Sequence, residues 1–206
     1  MKINFTKMHG CGNDYIYINA FDIEIKDPNK LAILMSKRHF SVGSDGVVLI
    51  ARSNTCDAKM RMFNADGSEG KMCGNAIRCI GKYLYDNNIV KKENITIETL
   101  SGVKKLKLYI ENDKVYKVSV NMGNAIFEPT LIPVLKEKEM INEDCYINGD
   151  NYKITAVSMG NPHAVIYMKN IDKLNLEQIG PVFENNWKNN RYMYMYNWIT
   201  LLYTWN

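Results

Sequence analysis

The residues best suited to chemistry lie in one stretch, Asn64-Ala65-Asp66-Gly67-Ser68-Glu69-Gly70-Lys71-Met72-Cys73-Gly74-Asn75-Ala76-Ile77-Arg78-Cys79. It opens on a turn signal, Asn-Ala-Asp-Gly. A cysteine then stands at the mouth of a helical pattern that puts Ala76, Ile80 and Leu84 on one face. The first backbone N–H groups of a helix have no partner within it and carry the positive end of its dipole, so they favour a thiolate. The same groups can hold a carboxylate. One segment can therefore supply a reactive sulfur and an anion site for an amino acid. Cys79 falls about 240° around the helix from Cys73 and is expected to pack in the core.

Three other loops share this chemistry. His9-Gly10-Cys11-Gly12-Asn13-Asp14 reads as a glycine-rich loop, Ser41 to Gly46 as a small-residue loop, and Gly160-Asn161-Pro162-His163 as a link between two strands. Cys-Gly-Asn recurs at Cys11 and Cys73, and Met-Gly-Asn at Met122 and Met159. Glycine allows close backbone approach and asparagine offers both an amide donor and an acceptor. Of the histidines, His163 either caps a turn or serves the site, while His9 and His39 read as packing or loop residues.

Composition narrows the classes. The chain has 206 residues, 46% hydrophobic and 23% charged, enough for a substantial core. Five cysteines is an odd count, which speaks for reduced thiols rather than a disulfide framework. No apolar run approaches the ~20 residues of a membrane span, and the N-terminus has no signal-type apolar region. A cytoplasmic protein is expected. The formal net charge is +4, and its densest basic cluster, Lys104, Lys105 and Lys107, alternates as a solvated strand face does, which argues against nucleic-acid binding. Nothing suggests a metal cluster or a Schiff-base lysine.

The elements that must position these residues follow from pattern. Strands are expected over 3–8, 15–20, 47–51, 58–62 and 94–99, and a hairpin of 103–110 and 115–122 around Glu111-Asn112-Asp113. Asp27-Pro28 is a helix start, with the helix continuing through Arg38. The segment 123–150 is looser and marks a boundary. Strands over 153–159 and 164–168 and a short helix over 174–179 follow, with Gly180-Pro181 after it.

Five motifs occur together. His9-Gly10-x-Gly12-Asn13-Asp14-Tyr15, Arg38 with Gly43-x-Asp45-Gly46, Asn64-x-Asp66-Gly67-Ser68, Met72-Cys73-Gly74-Asn75 with Arg78-Cys79, and Gly160-Asn161-Pro162-His163 resemble diaminopimelate epimerase and stand in that family's order. The resemblance covers residues 1 to about 184. It implies an α+β fold of two similar halves, each a curled, mostly antiparallel sheet around a central helix, with the second half incomplete here. It implies inversion at the α-carbon of diaminopimelate without a cofactor, by two cysteines on opposite faces of that carbon, in lysine and peptidoglycan synthesis. Cysteine suits the task because small shifts near neutral pH hold it as thiolate or thiol.

By the same resemblance Cys73 is the first-half catalytic cysteine and His163 tunes the cysteine pair. Asn13, Asn64, Gly74, Asn75 and Asn161 hold the substrate. The contact of Ser44 stays open, and Arg78 either helps hold substrate or braces its loop. Cys11 reads as structural, and Cys56 and Cys145 as plain thiols. The implied partner is a small amino-acid substrate, with neither nucleic acid nor membrane, and a homodimer is left open.

The resemblance stops where the composition changes. Residues 185–206 hold all three tryptophans (Trp187, Trp198, Trp205), four tyrosines (Tyr192, Tyr194, Tyr196, Tyr203) and no acidic residue. Neither period 2 nor period 3.6 holds along them. The expected organisation is therefore an N-terminal half over 1–122, a partial second half over 123–184 and an aberrant tail over 185–206. The tail replaces the family's second cysteine and carboxylate-binding residues, as a truncation or frameshift would, so little or no activity is expected of this chain. A related two-cysteine racemase of the proline type and a non-catalytic remnant are the other readings. The asparagine set favours the first reading, because a substrate with a second amino-acid end needs extra amide contacts.

Overall fold

Two short turns with positive φ set the first unit in motion. The computed structural model describes residues 2–132, 134–160, 162–168, 173–185 and 199–203, and the chain divides into units Met1–Met122 and Gly123–Asn206. In the first, β1 (Thr6–Gly10) and β2 (Asn13–Asn19) are joined by Cys11 and Gly12 alone, at φ 55° and 86°. A two-residue turn of this kind matches the twist of its strands. His9, Gly10, Asn13 and Asp14 are therefore paired strand residues rather than a loop, which corrects the sequence expectation.

Helix α1 (Pro28–Ser36) begins as Asp27-Pro28 predicts, with Lys30 N–H donating to Asp27 Oδ1 at 3.0 Å. Then come β3 (Gly46–Ala51), β4 (Ala58–Asn64), the two-residue β5 (Glu69–Gly70) and α2 (Gly74–Asp86). Strands β6 (Asn94–Thr99), β7 (Gly102–Glu111) and β8 (Lys114–Val120) complete the unit. The β7–β8 turn again uses two residues of positive φ, Asn112 and Asp113.

The sheet runs β1-β2-β3-β4-β6-β7-β8, with β5 on β4. Only β2–β3 and β4–β6 pair parallel. Ala76, Ile77, Cys79, Ile80 and Leu84 of α2 are buried with Tyr15, Tyr17, Val48, Ile50, Met60, Met62, Ile95, Ile97, Leu106 and Leu108, which come from five strands. Helix α2 also meets both edge strands, β1 and β8. Seven flat strands would span about 29 Å, against a helix about 10 Å across, so the sheet must curl around α2. The opposite face of β2 and β3 is covered by α1, with Ile16, Ile18, Val47, Leu49 and Phe63 packed around Ala32.

The second unit holds β9 (Glu143–Ile147), β10 (Asp150–Ser158), β11 (Pro162–Met168) and β12 (Ile199–Tyr203), in the order β12-β11-β10-β9. All pair antiparallel except β11 and β12. Its core includes Ile132, Met140, Cys145, Ile154, Ala156 and Ile166, with Val182 and Phe183 of helix α3 (Leu176–Asn185) packed against it. The α+β class expected from the sequence holds in both units.

Four expectations fail here. Strand β9 lies inside the segment read as loose, and it turns into β10 through Asn148 and Gly149 at φ 56° and 96°. Pro162 and His163 belong to β11 rather than to a connecting loop. Helix α3 runs through Gly180-Pro181, where the sequence reads as a stop. A proline there removes one helical hydrogen bond, and the seating of Val182 and Phe183, with the Phe183 ring 4.8 Å from that of Tyr152, holds the helix together. Lastly, Ile199–Tyr203 forms a strand in a segment where no period was found, because a parallel strand need not alternate. Residues 186–198 and 204–206, with Trp187, Trp198 and Trp205, lie outside the described residues.

Candidate active site

Cys73 is the N-cap of α2, held in extended geometry at φ −138° and ψ 119°. Its carbonyl accepts from Ile77 N–H at 3.0 Å, which starts the helix, and its sulfur accepts from Ala76 N–H at 3.5 Å. The N–H groups of Gly74 and Asn75 precede the first helical hydrogen bond and stay available to a ligand. The thiol is half-buried and also lies 3.9 Å from Asn13 Oδ1, to which it can donate. The sulfur is thus placed between backbone donors on its own helix and an amide on β2.

Beneath it lies Tyr15, buried and next to both Cys73 and Asn13. Burial pushes its phenol above the usual range and the neighbouring Cys73 and Asp45 add to that, with the Asn13 amide working the other way. Tyr15 therefore stays neutral under the thiol. The row continues across the sheet, since Tyr15 pairs with Gly46 and Gly46 with Asn64. A Cβ at position 46 would fall 2.1 Å from Phe63 O and 2.8 Å from the Tyr15 ring. Only glycine lets the three strands close up at this end. Asn64 sits at the last position of β4, its Nδ2 donating to Ser68 Oγ at 2.9 Å, while Gly67 N–H donates to Asn64 O at 2.9 Å and closes the expected turn.

An ion network ties the β1–β2 hairpin to the loop before β3. Arg38 bridges Asp14 at 2.7 Å and Asp45 at 3.0 Å, and Lys7 adds a contact to Asp14 at 3.0 Å. Asp14 N–H donates to Asp45 Oδ2 and Asp45 N–H to Asp14 O, at 3.0 and 2.8 Å. The Arg38 guanidinium holds the Asp14 carboxyl down to about 2, with Lys7 assisting against the cost of burial. Ser44 is buried, with its hydroxyl donating to Gly46 O at 2.8 Å and meeting Ser36 Oγ at 3.2 Å. Its role is therefore internal to this loop.

On the other side of Cys73, Asn75 packs against β1: a Cβ at Gly10 would come within 3.1 Å of Asn75 Cβ and of its carbonyl oxygen. Arg78 donates to Asn75 Oδ1 and lies 3.8 Å from the Cys11 sulfur. Of the two roles open for Arg78, this geometry shows the brace.

The structure thus gathers Cys73, Gly74, Asn75, Asn13 and Asn64 at one end of the first unit's sheet. His163 is half-buried on β11 of the second unit, paired with Val157, and burial lowers its basicity below the usual histidine range. Asn161 lies outside the described residues. Cys79 is buried, as expected, beside Tyr17, and burial pushes its thiol up. Sequence reasoning missed Tyr15 as the floor of the site and Arg38, Asp14 and Asp45 as its frame, though all four stand in the motifs quoted for the resemblance. Among the described residues no metal-ligating group of three or more forms, and no helix is long and apolar enough to cross a membrane.

A sequence model described as diaminopimelate epimerase matches residues 5–128. A diaminopimelate epimerase of Methanococcus maripaludis strain C6 is 54% identical over 183 residues, covering 88% of this chain and 66% of the relative. One from Acetivibrio thermocellus is 52% identical over 185 residues, covering 89% and 66%, and one from Desulfovibrio desulfuricans is 53% identical over 193 residues, covering 90% and 67%. The chain thus spans about two thirds of the length of these relatives. Among solved structures, a probable proline racemase from Agrobacterium radiobacter K84 superposes with a TM-score of 0.62 at 14% identity, covering 89% of this chain and 59% of its own. A phenazine biosynthesis protein of the PhzF family from Bacillus anthracis gives 0.61 at 18%, covering 100% and 69%. At these identities the structural likeness speaks to the fold alone.

Proposed function

The chain belongs to the diaminopimelate epimerase family, and from that premise we propose that Cys73 is one of two acid/base groups that invert the α-carbon of diaminopimelate without a cofactor, in a reducing, cytoplasmic setting. The observation that carries this reading is the placement of the Cys73 sulfur at the start of α2, 3.5 Å from Ala76 N–H and 3.9 Å from Asn13 Oδ1. A ligand carboxylate taken up by the N–H groups of Gly74 and Asn75 brings its α-carbon alongside that sulfur. The proton on one face of the carbon then exchanges with Cys73.

Inversion also needs a second group on the opposite face. The resemblance assigns that role to a cysteine beyond the stretch it covers, and no cysteine follows Cys145 in these 206 residues. The resemblance further assigns Asn64 and Asn161 to holding the polar ends of the substrate and His163 to tuning the cysteine pair. General acid–base help is worth ~10²–10⁴-fold, so the 206-residue chain by itself is expected to bind but not turn over. Nuclear magnetic resonance of the labelled chain tests both halves of this reading. Diaminopimelate should shift the Gly74 and Asn75 amide resonances where proline does not, with no meso isomer formed from the LL isomer. Unmoved amides would overturn the site, and measurable inversion to the meso isomer would overturn the need for the second cysteine.

A further inference from the structure

Arg78 lies one helical turn beyond Asn75 and donates to its Oδ1, with Cys11 Sγ 3.8 Å from the same Nη2. A guanidinium carries five donors and no acceptor, so the atom facing it must be the amide oxygen. The end an asparagine presents elsewhere is decided by such a partner. Here Oδ1 is tied down and Nδ2 is left without a partner among the described residues. Gly10 of β1 lies against the Asn75 Cβ and backbone, where an added Cβ would meet them at 3.1 Å.

We propose that Arg78 is a positioning residue that fixes Asn75 as a hydrogen-bond donor, so that the first turn of α2 selects the carboxylate end of an amino acid over its ammonium end. This rests on the proposed function for the premise that the ligand lies against Gly74 and Asn75. With Nδ2 outward the turn offers donors only, the two backbone N–H groups and the side-chain amide. A reversed amide would set an acceptor among them, which repels a carboxylate and attracts an ammonium. Arg78 acts through Asn75, and its own charge is directed at Oδ1 and the Cys11 sulfur.

The test uses the full 206-residue chain and two alkylating probes that differ in charge. Iodoacetate carries a carboxylate and iodoacetamide does not. The ratio of their rates at Cys73 is read by peptide mass spectrometry and normalised to the urea-unfolded chain. The folded wild type should favour iodoacetate. A normalised ratio of one would contradict carboxylate binding by this turn, and with it the proposed function, whatever Arg78 does.

Given that preference, R78M and N75A should each reduce it about tenfold, the scale of one lost charge-assisted hydrogen bond. R78M made in the N75A background should reduce it no further. An equal drop from R78M with or without Asn75 would show that Arg78 works by charge alone and would overturn the inference, as would an R78M variant that keeps the wild-type ratio. R78K keeps the charge and one donor, so it should fall between wild type and R78M, and it replaces R78M should that variant not fold. Protection of the buried Cys79 in the same digest reports folding for every variant.

Discussion

The first and second turns of α2 carry the same residue type in opposite circumstances. Cys73 caps the helix, half-buried, with its sulfur among backbone N–H groups and the Asn13 amide. Cys79 is buried beside Tyr17, and burial pushes its thiol up. Both stand on one rigid element, so residue type and helix propensity cannot account for the difference. What differs is which backbone donors remain unpaired, and helix geometry restricts those to the first turn. The first turn is thereby suited to chemistry and the second to packing.

Substitutions can break this contrast in stages. The largest effect is expected from Gly46→Ala, which forces a methyl group against Phe63 O and the Tyr15 ring under Cys73. It should lower stability by about 3 kcal/mol in urea unfolding. The site should be disturbed even in the folded fraction, because Tyr15 and Asn64 flank position 46. A loss below about 1 kcal/mol would mean the three strand ends tolerate spreading, contrary to the close approach described.

The same change at both cysteines sharpens the contrast further. Cys79→Ser buries a hydroxyl and should cost about 1–2 kcal/mol. Cys73→Ser should leave stability within about 0.5 kcal/mol, since serine is itself a favoured N-cap. Parallel urea melts give the two values directly. Equal losses would erase the distinction between the two turns.

Much of this arrangement was legible in the sequence. Strand β6 spans the residues read for it, the Asp27 cap is where Asp27-Pro28 places it, and α2 begins at the glycine after Cys73. These are local signals, set by period and capping. The turns at Cys11-Gly12 and Asn148-Gly149 were also encoded locally, as two adjacent residues that tolerate positive φ, but the first was read as part of a longer loop and the second passed over. Tyr15, Gly46 and Arg38 escaped for a different reason. Their roles depend on strand register and on ion pairs between residues as far apart as Asp14 and Arg38, which no short window of sequence displays. The passage of α3 through Pro181 likewise follows from the packing of Val182 and Phe183 rather than from propensity. Of the candidate site, the motif positions were legible, whereas the row that supports Cys73 was not.

The central claim, that the first turn of α2 presents Cys73 to an amino-acid ligand while the second turn serves the core, reduces to one measurement. Alkylation of the folded chain by iodoacetamide, resolved by peptide and repeated with diaminopimelate present, reports both cysteines at once. Cys73 should react about a hundredfold faster than Cys79, on the scale by which burial and local opening protect a core group, and diaminopimelate should slow Cys73 alone. Equal rates at the two cysteines, or a Cys73 rate indifferent to diaminopimelate, would contradict the account.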